Sequence, residues 1–299
     1  MTDRSWIERK GFSEWSVALF WVLAAFILFQ IVGGIVAGVL FVVTSNSIPT
    51  SEEILNNAGQ YLDYIFIGNS TGQVLFLGIG TWMITRLHLK QESRSTFLRL
   101  QKQKSGWNIF AIAVALMVVI QPAVWMLSWL NAQLPIPESI FKLEQMQTDL
   151  IEQYLSGDHS LVFTLLHVSL VPALCEETLF RGYLLRSFEN KWGIKAAIIG
   201  SSLIFGFFHL RFMQVIPLVV IGAILGYITW SADSLYPAML AHLVNNGGSV
   251  IAVYSYPESG FAEMSPEALP PLELVLLSLV LSGYLLYLLS NQQKHSLTT

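Results

Sequence analysis

The sequence predicts an all-α, polytopic membrane helix bundle of about eight transmembrane helices, with the N- and C-termini cytoplasmic. Three observations predict it. Hydrophobic residues fill 54% of the 299 positions and charged residues only 12%, about half the roughly 25% of an ordinary soluble domain. The charges are clustered, leaving long runs that carry none. The loops between those runs alternate in sign. This apolar content is enough for eight helices of about 20 residues each. It excludes a soluble two-domain enzyme, which the length alone allows, and a disordered chain. A net charge of −4 leaves no basic footprint for nucleic acid. The lone Cys175 rules out an intrachain disulfide framework and a Cys-rich zinc site.

No charge occurs over 15–51, 64–85 or 105–137, and each run can hold a helix crossing about 30 Å of hydrocarbon. The first span, near 15–43, is too long for a secretory signal and lacks a small-residue cleavage site before a soluble domain. Five further spans follow over about 160–189, 195–212, 213–231, 235–256 and 272–290. The loops set the orientation. Loop 86–106 carries Arg86, Lys90, Arg94, Arg99, Lys102 and Lys104 against Glu92. Segment 186–195 carries Arg186, Lys191 and Lys195; the N-terminus has Arg4, Arg9 and Lys10, and the C-terminal tail has Lys294. The positive-inside rule makes these cytoplasmic. The alternate loops are acidic: Glu52, Glu53 and Asp63, then Glu138, Glu144, Asp149, Glu152 and Asp158, then Glu258, Glu263 and Glu267. Of the Lys and Arg residues, only Lys142 and Arg211 fall outside the inner side or the inner half of a span.

Residues 137–155 place Ile140, Phe141, Leu143, Met146, Leu150, Ile151 and Leu155 at helical spacing. That pattern suits a helix lying in the outer interface, and equally a loop helix packed on the bundle. The pairs Gly34/Gly38, Gly68/Gly72 and Gly222/Gly226 are small-xxx-small spacings, read as close helix packing. No internal repeat points to a transporter built from duplicated halves.

Ionisable groups inside a span are costly and are functional candidates by default. Here they are Glu176, Glu177, Arg181, His167, His209, Arg211 and His242, concentrated in the fourth, fifth and seventh spans. Glu177 and Arg181 are i and i+4 with the acid N-terminal, so the arginine can neutralise the carboxylate. Glu176 lies about 100° away around the helix, so it faces another helix or a wet cavity, or is protonated. Phe205 and His209 share a face at i and i+4, as do His242 and Asn246, whereas Asn245 points elsewhere. Arg211 reaches the outer boundary by snorkelling. A structural Glu–Arg clamp and ordinary interhelical hydrogen bonds are the plain alternatives at each motif. Counted from the inner charges, Glu176 and His209 lie about 21–23 Å along their helices and His242 about 13 Å, so the three can meet within the bilayer.

Taken together, Glu176-Glu177-x-x-x-Arg181, Phe205-x-x-x-His209 and His242-x-x-x-Asn246 resemble the three-motif signature of the CPBP intramembrane proteases. That family includes the type II CAAX prenyl endopeptidases and Abi-like, bacteriocin-associated homologues. The resemblance covers roughly 160–256. It implies peptide-bond hydrolysis within the membrane, with Glu176 and His209 activating the attacking water. His242 and Asn246 would hold the oxyanion, with Glu177, Arg181 and Phe205 supporting the site. The residue types suit these roles: a desolvated carboxylate can serve as base and then acid, and fixed donors in low dielectric stabilise tetrahedral charge.

One Glu and two His, here Glu176, His209 and His242, can also bind zinc with an open position. No HExxH is present, and a metal-free acid/base site accounts better for Asn246, so no cofactor is favoured. The expected organisation is a three-span region over 1–159 with an outer helix over about 137–155, a protease-like core over 160–256, and an outer loop, last span and tail over 257–299. The expected setting is a plasma membrane, with the lipid bilayer and a membrane-associated peptide or protein substrate as partners and no nucleic acid. Three other functions fit parts of the pattern. One is an idle immunity or scaffold protein, although the intact motif set argues against it. Another is a proton-coupled transporter, although no repeat or pair of broken helices supports it. The third is a rhomboid-like serine protease, since Gly68-Asn69-Ser70-Thr71-Gly72 reads G-x-S-x-G, although without the strand-to-helix elbow.

Overall fold

A computed structural model describes residues 4–45, 58–101, 106–155, 160–255 and 268–298. Every regular element among them is helical. In order these are α1 (Trp6–Arg9), α2 (Glu14–Ser45), α3 (Ala58–Gly72), α4 (Thr81–Ile84), α5 (Arg94–Phe97), α6 (Asn108–Val119), α7 (Gln121–Ala132), α8 (Glu138–Leu155), α9 (Leu161–Thr164), α10 (Val171–Glu177), α11 (Leu185–Phe208), α12 (Val215–Ala232), α13 (Tyr236–Ser255) and α14 (Leu272–Thr298). π-helical turns at Gln73–Gly80, Leu165–Leu170 and Thr178–Leu184 join α3 to α4, α9 to α10 and α10 to α11.

Helix therefore covers each stretch assigned to a span. Four segments are long and apolar enough to cross a bilayer: Glu14–Thr44, Leu161–Phe208, Phe212–Ala232 and Leu272–Asn291. The α6–α7 pair, bent by 42°, makes a fifth if it counts as one span. The protein is a multi-pass membrane protein. The bend falls where Pro122 enters the first turn of α7, since proline cannot donate to the preceding turn. The Leu161–Phe208 segment folds back at Gly193, whose φ of 75° is open to glycine. The wider, lipid-compatible surface is the apolar outer face of α2 and α14, with Phe20, Ile31, Val280 and Tyr284 exposed.

The acidic outer-loop residues Glu52, Glu53, Asp158, Glu258, Glu263 and Glu267, the inner Lys102 and Lys104, and the side chain of Lys294 lie outside the described residues. Within them, two loop charges sit inside the protein. The Arg99 side chain is buried, pairing with Glu189 at 2.8 Å and Asp233 at 2.9 Å, so it ties three chain segments together. Glu144 is 2% exposed. Helix α8 is packed on the bundle through Glu144, while Phe141, Leu143 and Met146 face outward. Both readings of its sequence thus apply, one to each face. The side chains of Leu150, Ile151 and Leu155 lie outside the description.

The glycine pairs divide. A methyl group at Gly68 or Gly72 would strike the α2 backbone at Gly33 or Phe29, so α2 and α3 touch backbone to backbone. At Gly34 or Gly38 it would meet nothing. The packing glycine of α2 is Gly33, one residue and about 100° around the helix from the expected position. Two apolar clusters result. One joins α2 to the 171–188 stretch and Phe205, and the other joins α6, α12 and α13.

Candidate active site

The polar residues of the fourth, fifth and seventh spans gather at the seam between those clusters. Helix α11 ends at Phe208, so the last carbonyls lose their usual amide partners. The side chain of His209, the cap residue, takes one of them: its Nδ1 lies 2.8 Å from the Phe205 carbonyl. A carbonyl only accepts, so Nδ1 carries the proton and, in the neutral ring, Nε2 presents its lone pair. That lone pair faces Glu176 Oε2 at 3.8 Å, too far for a direct hydrogen bond. Oε2 has no other partner within the protein. Glu176 is 8% exposed and the His209 side chain 26%, so this pair is the part of the site open to a small reactant.

The second half is sealed. Glu177 is fully buried, and its Oε1 accepts from Arg181 Nη1 and from His242 Nδ1, each at 2.8 Å. Arg181 also donates from Nη2 to the Gly222 carbonyl at 3.2 Å, and its guanidinium lies 4.1 Å from the Phe205 ring centroid. The i, i+4 pair read from the sequence is therefore formed, and Glu177 reaches across to α13. Gly222 is needed close by, since a methyl there would stand 3.1 Å from Phe205 Cδ1.

Asn246 Nδ2 lies 3.2 Å from His242 Nε2 and 3.2 Å from the Val168 carbonyl. That carbonyl is available because residue 172, four positions on, is proline and has no N–H to give it. With Nδ1–H committed to Glu177 and Nε2 accepting from Asn246, neutral His242 has no free donor. The two Nδ2 hydrogens of Asn246 are likewise engaged, one with the Val168 carbonyl and one with His242 Nε2, so neither residue of the pair holds a free donor in this arrangement. Asn245 does not point away. Its Nδ2 donates to Asn246 Oδ1 at 3.1 Å, and its own Oδ1 accepts from Gln121 of α7 at 3.1 Å. Gln121 and Asn245 escaped the sequence reading because no local spacing links them.

Phe205 lies between the two halves. The His209 and His242 rings stand edge-on to it, at centroid distances of 4.7 and 6.2 Å. His167 lies elsewhere, its Nδ1 2.7 Å from Ser70 Oγ, so the serine of the G-x-S-x-G text ties α3 to the fourth span. Arg211 donates to Thr148 Oγ1 of α8 at 3.3 Å, so it reaches a protein partner rather than snorkelling freely. No group of three or more His, Cys, Asp or Glu among the described residues could hold a metal ion. Both nitrogens of His242 are engaged within the protein.

Residues 158–248 match the family model described as Rce1-like, type II CAAX prenyl endopeptidase Rce1-like. The matched segment is similar to that family. It contains Glu176, Glu177, Arg181, Phe205, His209, His242 and Asn246, and so bears out the resemblance carried by the three motifs. The family is described as one of CAAX-type prenyl endopeptidases. Comparison with curated proteins and with solved structures finds no match.

Proposed function

We propose that this protein is an intramembrane endopeptidase that hydrolyses peptide bonds of membrane-associated substrates at the Glu176–His209 pair. The observation that carries the reading is the pairing of two proton acceptors, Glu176 Oε2 and His209 Nε2, 3.8 Å apart in a nearly buried setting. A water placed between them can donate one hydrogen to each. Loss of a proton to the pair makes it a nucleophile toward a substrate carbonyl. The same pair then returns the proton to the leaving amine.

The developing oxyanion is stabilised by Asn246, which turns toward it the Nδ2–H that His242 Nε2 otherwise accepts, with His242 holding the amide in place for that exchange. Glu177, held by Arg181, fixes the orientation of the His242 ring by accepting its Nδ1–H. Arg181 and Phe205 fix the geometry. The metal-free reading is supported by the commitment of both His242 nitrogens. In this reading eight helices cross a plasma membrane with both termini cytoplasmic, the 160–256 core carries the chemistry, and 1–159 and 257–299 frame it.

The test is cleavage of a peptide reporter library by purified protein. Glu176→Gln and His209→Ala are expected to lose at least about 100-fold in kcat, the scale of general-base catalysis. Asn246→Ala is expected to lose a comparable factor. Full activity in Glu176→Gln and His209→Ala would reject the assignment. Loss of wild-type activity on chelation, restored by zinc, would overturn the metal-free chemistry.

A further inference from the structure

We infer that Glu144, seconded by Asn131, is a positioning residue that holds His209 in register with Glu176, so that docking of α8 completes the site. The inference rests on the hydrolytic reading above. The turn that follows His209 has little structure of its own. Leu210 takes a left-handed φ of 52°, unusual without glycine, and Arg211 is non-helical at φ −111° and ψ 88°. Four amides at the start of a helix also lack partners within it.

Side chains from outside the three motifs supply the missing bonds. Glu144 accepts from the Phe212 amide at 2.7 Å through Oε1 and from the Met213 amide at 3.0 Å through Oε2. Asn131 of α7 donates to the Phe212 carbonyl at 2.8 Å and accepts from the Ile216 amide at 2.8 Å. Both residues are 2% exposed. Arg211 adds the bond to Thr148 on α8. A carboxylate buried on two amides three and four residues beyond His209 is costly to place there unless both bonds are made. It therefore fixes the turn, and the turn fixes the ring. The sequence carried one sign of this: Ile140 and Glu144 are i and i+4, so the carboxylate lies on the apolar stripe of an otherwise amphipathic helix. With Phe141, Leu143 and Met146 outward, α8 meets lipid on one side and the catalytic turn on the other.

The experiment compares wild type with Glu144→Ala and the isosteric Glu144→Gln, in detergent and in liposomes. Two readouts are taken: kcat and KM on the reporter, and the rate of diethylpyrocarbonate modification of His209 relative to His242, resolved by mass spectrometry. The second needs no proteolytic activity, so it separates failure of this inference from failure of the hydrolytic reading. The expected result is a 10- to 100-fold fall in kcat for Glu144→Ala, consistent with a misplacement of about 1 Å. KM stays within about twofold, and His209 modification is at least about threefold faster at an unchanged His242 rate. Glu144→Gln, which keeps one acceptor oxygen, is expected to fall between. Unchanged His209 modification and unchanged kcat in the folded Glu144→Gln variant overturn the proposal. So does a parallel rise at His209 and His242, which reports general loosening.

Discussion

Removing Arg181 tests the sealed half of the site most directly. The Arg181 side chain is 1% exposed, and its guanidinium meets the Glu177 carboxylate at 2.8 Å, the Gly222 carbonyl at 3.2 Å, the Phe205 face at 4.1 Å and, more distantly, the Phe180 ring at 5.9 Å. Arg181→Ala leaves Glu177 fully buried with His242 Nδ1–H as its remaining partner. A hydrogen bond to a charged group contributes about 1.5–3 kcal/mol, and a desolvated cation–π contact about 2 kcal/mol. Stranding one charge of a buried pair costs about 3–5 kcal/mol, and that is the loss expected for the single variant. The double variant Glu177→Gln/Arg181→Met removes both charges at similar volume. It is expected to recover most of the loss, because replacing a whole buried pair is often close to neutral. The assay is the unfolding free energy in mixed micelles across the four-member cycle. A cost below about 1 kcal/mol for Arg181→Ala, or a double variant no better than the single, would refute the claim that Glu177 depends on Arg181.

Four further outcomes follow from the structure. His88, in the segment after α4, is 1% exposed with Nε2 2.6 Å from the Tyr183 hydroxyl, and burial lowers its pKa from 6.5 to about 4. The unfolded chain therefore takes up this proton first. Stability is full above pH 6.5 and falls as pH drops toward 4, by about 2 kcal/mol at pH 5; His88→Gln is expected to flatten that slope in pH-dependent unfolding. Gly222→Ala pushes a methyl to 3.1 Å from Phe205 and 3.3 Å from the Ser202 backbone, so it is expected to cost about 1–3 kcal/mol and to lower turnover. Gly34→Ala, which meets nothing, is expected to be neutral or slightly stabilising. Pro172→Ala restores an amide that can compete with Asn246 for the Val168 carbonyl. Stability is expected to hold or rise while turnover falls, and turnover equal to wild type would remove Pro172 from the account.

The legible parts of this protein were those written in short-range spacing. The i, i+4 pairs Glu177/Arg181, Phe205/His209 and His242/Asn246 survive as contacts because helix geometry fixes them whatever the rest of the bundle does. Glu176 had no partner on its own helix, which left another helix, a wet cavity or protonation; across the bundle His209 Nε2 faces its Oε2 at 3.8 Å. The hidden parts depend on tertiary placement. Glu144 and Arg99 read as loop charges that set topology, yet both are buried staples. Asn131 and Gln121 carry no periodic sign of what they reach. The donor state of His242 could not be read from the sequence either, because it is set by Glu177 across the bundle and by a carbonyl that Pro172 leaves open. Gly34/Gly38 had the right spacing on the wrong side of the helix, since packing is decided by rotation as well as period.

Phe205 has a mechanical consequence. One ring carries the Arg181 guanidinium on its face and meets both imidazoles with its plane nearly perpendicular to theirs. It is backed by Phe180 at 5.1 Å and confined by Gly222. The distance between the Glu176–His209 half and the Glu177–His242 half is therefore set by the width of an incompressible aromatic spacer. Neither half can drift without pushing the other, so the site is expected to tolerate changes in surrounding helices as a rigid unit and to fail as a unit when the spacer is trimmed.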